Sequence, residues 1–243
     1  MNRFFFDAES MQDNLITFSG QNARHIINVL RLRRGDNIIA CDGKGIDYKC
    51  VLTDFNRDNA IAQVLEVYKN TSERLNPITL FQCIPKGDKM DFIVEKSVEL
   101  GVYSVVPVLS QRCISRPDSK TAPKKVDRWN SISESAAKQS GRGIIPRVAD
   151  IISFNDAICQ MVENYDRAIL FYENERENMI DNNLKSSKSI AFMIGPEGGF
   201  SDEEIPFARE KGILIMSLGK RILRCETAPI CALSILNHIT ENT

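Results

Sequence analysis

The sequence predicts an α/β protein in which a parallel sheet covered by helices follows a small β-rich domain. Three observations lead there. After residue 77, short apolar runs alternate with segments of helical period, the rhythm of β-α-β units and a parallel sheet. Before residue 70, short apolar or alternating runs are punctuated by glycine and Asn/Asp turns, as in a small barrel. Between them Asn70-Thr71-Ser72-Glu73-Arg74-Leu75-Asn76-Pro77 is polar and closes on a proline. The expected boundaries are residues 1–72 for the small domain, 73–77 for a linker and 78–243 for the larger domain.

In the small domain the expected strands are Phe4–Phe6, Leu15–Phe18, Asn37–Cys41, Asp47–Thr53 and Ala60–Tyr68. One helix is expected over Gln21–Leu32, because Ala23, Ile26, Ile27 and Leu30 recur at i, i+3, i+4 and i+7. Its polar side and exit carry Arg24, His25, Arg31, Arg33 and Arg34, a basic surface suited to RNA phosphates. In the larger domain strands are expected at Ile78–Ile84, Val102–Leu109, Arg167–Tyr172, Ile190–Ile194 and Ile213–Leu218. Helices are expected at Asp88–Leu100, Pro123–Ser140, Phe154–Asn164, from Ser201 to Gly212 and at Pro229–Ile239. Ser201 followed by three acids is an N-cap signature. Trp129 falls on the apolar stripe of its helix and reads as a core anchor.

Composition removes several classes. No apolar run reaches the roughly 20 residues needed to span a bilayer, and Phe4–Phe6 is too short for a secretory leader, so no membrane partner and a cytoplasmic location are expected. Seven cysteines lack any C-x-x-C pair and only His25 and His238 are present, so no metal site is expected. The formal net charge of −1 excludes a generic polyanion binder. Yet Gln111–Arg147 holds nine basic residues against three acidic ones, which fits local nucleic-acid contact.

The unusual chemistry lies between Ile194 and Ala228. Gly195-Pro196-Glu197-Gly198-Gly199-Phe200 follows one apolar run, and Gly219-Lys220-Arg221-Ile222-Leu223-Arg224-Cys225-Glu226-Thr227-Ala228 follows the next. Glycines at strand ends admit close backbone approach. Neither loop has Walker spacing, and no G-x-G-x-x-G or G-x-S-x-G occurs. Acids beside Gly199 would repel phosphate, so a neutral or zwitterionic ligand is expected. Cys225 is a conceivable nucleophile, with neither histidine near it in sequence.

These two motifs, G-P-E-G-G-F-S-x-x-E-I and L-G-x-R-I-L-R-x-E-T-A, resemble the signature of the RsmE family of ribosomal RNA methyltransferases in the SPOUT superfamily. The resemblance extends to Arg3-Phe4-Phe5, His25–Arg31, Lys86-Gly87-Asp88-Lys89-Met90-Asp91, Lys96–Gly101 and Glu134–Arg142. Cys225 stands where a threonine is common, and Lys138 where an acid is common. The resemblance implies a PUA-like N-terminal domain and a parallel sheet with a C-terminal trefoil knot. It also implies a homodimer that transfers a methyl group from S-adenosylmethionine to N3 of a uridine in 16S rRNA of the small ribosomal subunit, without a metal.

On the same basis the cofactor pocket maps to Leu170, Phe171, Tyr172 and Glu173, to Gly195, Pro196, Glu197, Gly198 and Gly199, and to Ser217, Leu218, Gly219, Ile222, Leu223 and Arg224. Glu197 and Glu226 are candidate bases for the N3 proton, with Arg224 and Arg142 as candidate stabilisers of the developing charge. RNA contacts fall to Arg3, Arg24, Arg31, Arg33, Arg34, Arg112 and Arg116. A cofactor-free RNA-binding protein and a methyltransferase acting on another RNA remain open at this point.

Overall fold

A computed structural model describes residues 1–180 and 182–241. The chain divides into two compact units. The first is Met1–Glu73 together with Ala137–Ile145; the second is Arg74–Ala136 and the chain from Pro146 onward. The return of Ala137–Ile145 to the first unit is not encoded in any composition shift.

In the first unit, β1 (Asn2–Phe5), β2 (Met11–Gln12), β3 (Leu15–Phe18), β4 (Asn37–Cys41), β5 (Ile46–Phe55) and β6 (Ala60–Lys69) form one sheet in the order β1-β4-β5-β6-β3-β2. The expected barrel is thus a six-stranded sheet with β1 and β2 at its ends. All pairs are antiparallel except β1 with β4. Alternation places Phe4, Ile16, Phe18, Ile38, Ala40, Cys50, Leu52, Ala60 and Ala62 in one buried cluster, closed by Ile26.

The expected helix over Gln21–Leu32 is shorter and changes character. An α-helical turn, α1 (Gly20–Arg24), passes directly into a π-helix at His25–Val29. The Leu30 N–H then donates to the His25 carbonyl and the Leu32 N–H to that of Ile26. Ile26, Ile27 and Val29 are β-branched and crowd a regular helix. Arg31 closes the segment in the left-handed region at φ 51°, and Arg24, His25, Arg31, Arg33 and Arg34 are all exposed.

Arg142 is buried in this unit and Arg3 is half-buried, and each guanidinium is held in an ion pair within it. Arg3 Nη1 is 2.6 Å and Nη2 2.9 Å from the Asp47 carboxylate, so the guanidinium expected to contact RNA is engaged in an ion pair within the unit. Asp47 also accepts from Asn70 Nδ2 at 2.8 Å and from Cys41 Sγ at 3.1 Å. Arg142 is 3% exposed and grips Glu73 bidentately at 2.9 and 2.7 Å, while Glu73 also accepts the Gly143 N–H at 2.8 Å. The Asn70 amide and the Arg3 guanidinium reach the Gly141 and Arg142 carbonyls. This polar network fastens residues 137–145 to the sheet.

In the second unit β7 (Ile78–Cys83), α2 (Lys89–Glu99), β8 (Ser104–Leu109), α3 (Ala122–Ser140, its last residues falling in the first unit), β9 (Arg147–Val148), β10 (Ile152–Ser153), α4 (Phe154–Asn164), β11 (Arg167–Phe171), β12 (Ile190–Ile194), α5 (Glu204–Glu210), β13 (Leu214–Met216) and α6 (Thr227–Glu241) follow one another. The sheet order is β10-β8-β7-β12-β11-β13, with β9 also on β8, and every pair is parallel. Every residue of β7 and β12 is buried, as expected of strands covered on both faces. Trp129 is 2% exposed in the core. Helix α5 begins at Glu204, yet Ser201 and Glu204 close a reciprocal capping box, Glu204 N–H to Ser201 Oγ and Ser201 N–H to Glu204 Oε2. No helix among the described residues is long and apolar enough to cross a membrane.

Asp47→Ala leaves the half-buried Arg3 without its carboxylate and is expected to cost ~3 kcal/mol in urea unfolding. Burial works to raise the Asp47 carboxyl, but hydrogen bonds from Arg3, Cys41 and Asn70 outweigh it and hold it below its usual range. Its stabilising contribution is therefore full above the unfolded-state value of ~4 and fades as pH falls through the lower folded value. Acid titration of the Asp47→Ala variant should show that this part of the wild-type pH dependence has vanished.

Candidate active site

Parallel pairing sends every strand of the second sheet the same way, so the loops after β11, β12 and β13 leave one edge. Because β11 lies between β12 and β13, those three loops are neighbours. They enclose a cavity of about 530 Å³, lined among others by Phe171, Tyr172, Glu173, Gly195, Glu197, Gly199, Ser217, Gly219, Leu223 and Arg224. That size suits a cofactor-sized organic ligand. Of the residues expected here, Pro196, Gly198, Leu218 and Ile222 also line it. Leu170 does not. It is fully buried in β11, one residue before the strand end, where alternation turns its side chain into the core.

Glycines shape the cavity by what they exclude. Gly199 has φ 65°, and a Cβ there would lie 2.2 Å from Glu173 Oε1. A Cβ on Gly195 would press on the Phe200 ring at 3.1 Å. Arg112 lies over the same loop: its Nη1 donates to the Gly198 carbonyl at 3.1 Å, which gives it a loop-supporting contact besides its exposed surface. Arg116 is exposed and caps the Ser110 and Gln111 carbonyls at 2.7 and 2.8 Å.

The electrostatic centre of the site is Lys89, the first residue of α2. Its ammonium is 2.8 Å from Glu197 Oε1 and 3.4 Å from Glu226 Oε2, and it donates to Cys225 Sγ at 3.7 Å. Cys225 Sγ in turn donates to Glu226 Oε2 at 3.2 Å. Partial burial works to raise both glutamates. Hydrogen bonds outweigh it in each case, from Lys89 to Glu197 and from Cys225 and Lys89 to Glu226, so both carboxyls stay below their usual range. Burial, reinforced by the bond to Glu226, pushes the Cys225 thiol up to about 12. A neutral thiol that donates to a carboxylate is no nucleophile, although α6 begins only two residues beyond it.

Sequence reading found the three loops and missed Lys89, Ile194, Arg221, Cys225 and Ala228 as lining residues. Arg142 is absent from the cavity lining because its guanidinium is committed to Glu73. Glu226 does not line the cavity itself; it stands behind the rim, held by Lys89 and Cys225.

With that geometry in place, comparison with known proteins is decisive. Residues 71–237 match the RNA methyltransferase domain family, and residues 18–65 match the RNA methyltransferase PUA domain family. The chain belongs to this RNA methyltransferase family. Ribosomal RNA small subunit methyltransferase E of Bacillus subtilis is 34% identical, over 99% of this chain and 98% of its own. The protein of the same name from Aquifex aeolicus is 32% identical, over 95% and 97%. A crystal structure of a Ribosomal RNA small subunit methyltransferase E from Neisseria gonorrhoeae, bound to S-adenosyl methionine, superposes with a TM-score of 0.89 at 37% identity, covering 99% of this chain and 98% of that one. The methyltransferase assignment accounts for both units: the PUA match falls wholly within the first, and the catalytic-domain match spans the cavity.

Gly199→Ala must displace the Glu173 carboxylate and adopt a left-handed backbone, an expected loss of ~1–3 kcal/mol. Thermal and urea denaturation against wild type read this directly.

Proposed function

We propose that this enzyme methylates N3 of a uridine in 16S rRNA of the small ribosomal subunit, using S-adenosylmethionine, and acts as a homodimer in the cytoplasm. The observation that carries the reading is the glycine-walled cavity between three parallel-strand loops, with Lys89 and Glu197 on its lining and Glu226 held just behind them by Lys89. Relatives named for small-subunit rRNA methylation match almost end to end, and the Neisseria gonorrhoeae relative holds S-adenosyl methionine. The deep trefoil knot belongs to this reading too, supported by the pairing of the late strand β13 onto β11.

The residues present fit this cofactor. Backbone at Gly195, Gly198 and Gly199 lets a flat ring approach closely, and Phe171, Leu218, Ile222 and Leu223 supply apolar walls. Glu173 offers a carboxylate to the amine of a zwitterion. Bound there, S-adenosylmethionine supplies an activated methyl on a sulfonium, so no metal is required.

What remains for the protein is the imide proton. Uridine N3 becomes nucleophilic as its N–H bond yields a proton and leaves the electron pair on nitrogen. An imide is a weaker acid than a carboxylic acid, so a carboxylate accepts that proton only as the new N–C bond forms. Glu226 is the acceptor this geometry favours, because Glu197 is already fixed by Lys89 and by the Lys86 N–H at 3.2 Å from each oxygen. Arg224, exposed at the rim, stabilises the negative charge that grows on the uracil oxygens. Arg24, Arg31, Arg33 and Arg34 on the first unit, with Arg112 and Arg116 on the second, supply phosphate contacts. Ile222, 83% exposed at the cavity mouth, is the kind of apolar group a second subunit would cover.

Glu226→Gln should lower single-turnover methylation by ~10²–10³-fold while S-adenosylmethionine affinity, read by calorimetry, stays within about threefold. A near-normal rate removes Glu226 as the base. RNA affinity should fall steeply as salt rises, and Arg33→Ala/Arg34→Ala should flatten that slope by about two ions. Sedimentation at micromolar concentration should show a dimer; a monomer there counts against the assembly.

A further inference from the structure

Lys89 occupies an electrostatically adverse place. It is the first residue of α2, where the unpaired N–H groups make the helix end positive and a cation is disfavoured. The turn before it is also committed, since the Lys86 N–H reaches both oxygens of Glu197 at 3.2 Å. The ammonium spans two separate loops: it is 2.8 Å from Glu197, in the loop after β12, and 3.4 Å from Glu226, in the loop after β13. The bond to Glu197 closes 108 positions of chain and that to Cys225 closes 136. Glu226 also accepts from the Cys225 thiol of its own loop and from its own backbone N–H. Among the described residues, Lys89 is therefore the one side chain whose ion pairs join the loop after β12 to the loop after β13.

We propose that Lys89 is a positioning residue for methyl transfer: its ammonium latches the Glu197 loop to the Glu226 loop and sets Glu226 at the reach the substrate base requires. This rests on the reading of the cavity given above. The latch also divides the labour between the two glutamates. Glu197, with the shorter contact and the Lys86 N–H, is the fixed anchor. Glu226, with the longer contact, is the carboxylate left able to turn to a substrate N–H. Cys225 limits that turn from the other side by donating to the same Glu226 oxygen.

Two measurements test the latch separately from the chemistry. In the cofactor-free protein, hydrogen exchange of amides in residues 195–200 and 219–228 should quicken at least about threefold in Lys89→Met and return toward wild type in Lys89→Arg. With saturating S-adenosylmethionine and small-subunit rRNA, single-turnover methylation by Lys89→Met should fall by about 30-fold, and Lys89→Arg should recover most of it. Its acid limb should also move to higher pH, because carboxylates without their cation protonate earlier. Lys96→Met, further along the same helix, where the ammonium pairs with Glu95 and Glu99 and lies over the Phe92 ring, should change neither readout. Wild-type exchange and rate in Lys89→Met overturn the latch, as do equal losses in Lys96→Met. If wild type binds no S-adenosylmethionine, the reading of the cavity fails, and the exchange arm still decides whether the latch exists.

Discussion

The parallel pairing of β12, β11 and β13 is the constraint on which the site depends. A parallel strand returns to its sheet only through a crossover, so all carboxyl ends collect on one edge. Loops that are far apart in sequence then become neighbours for a purely geometric reason. Buried strands fix the registers: β11 pairs residue by residue with β12 from Arg167/Ile190 to Phe171/Ile194. Both strands are buried on their two faces, so a slip of one residue would exchange the side chains packed on one face with those packed on the other. The loops inherit that precision, which is how a cavity walled by glycines keeps its shape.

Charge is used differently in the two units. In the first it is internal. Arg3 with Asp47 and Arg142 with Glu73 are largely enclosed pairs, one partner of each fully buried, whose spare hydrogen-bonding capacity goes to Asn70, Cys41 and the backbone of residues 141–144. Such pairs add little net stability, but removing one partner leaves a buried charge, so they specify one arrangement strongly. In the second unit the Lys89 cluster is half exposed and each contact is individually weak. It acts on geometry at the cavity, where small displacements change rates more than they change stability.

Most of the second unit was legible. The strands Ile190–Ile194 and Arg167–Phe171 and the helix Phe154–Asn164 follow from apolar run length and helical period, which local sequence records directly. The cavity loops were legible because glycines at strand ends have few other uses. The first unit was less so. The helical period over Gln21–Leu32 is real, but β-branched crowding at Ile26, Ile27 and Val29 widens it into a π-helix, which periodicity does not register. Arg3 and Arg142 looked like surface cations because sequence shows charge and hides burial; their partners Asp47 and Glu73 lie 44 and 69 positions away. Lys89 was missed although a signal existed, since a lysine opening a helix is out of place unless carboxylates meet it.

The division of the chain at Glu73 and again around residues 137–145 has a consequence for biosynthesis. A cut at the polar stretch 70–77 would look safe from sequence, yet it would release an N-terminal fragment whose Glu73 has lost Arg142 and whose Asn70 has lost the Gly141 carbonyl. The first unit is complete only when residue 145 exists. On the ribosome its sheet must therefore wait, with an unpaired carboxylate, while sixty-odd residues of the next unit are made, several seconds at ~5–20 residues per second. The N-terminal unit comes first in the gene but cannot finish folding until part of the second unit has been made.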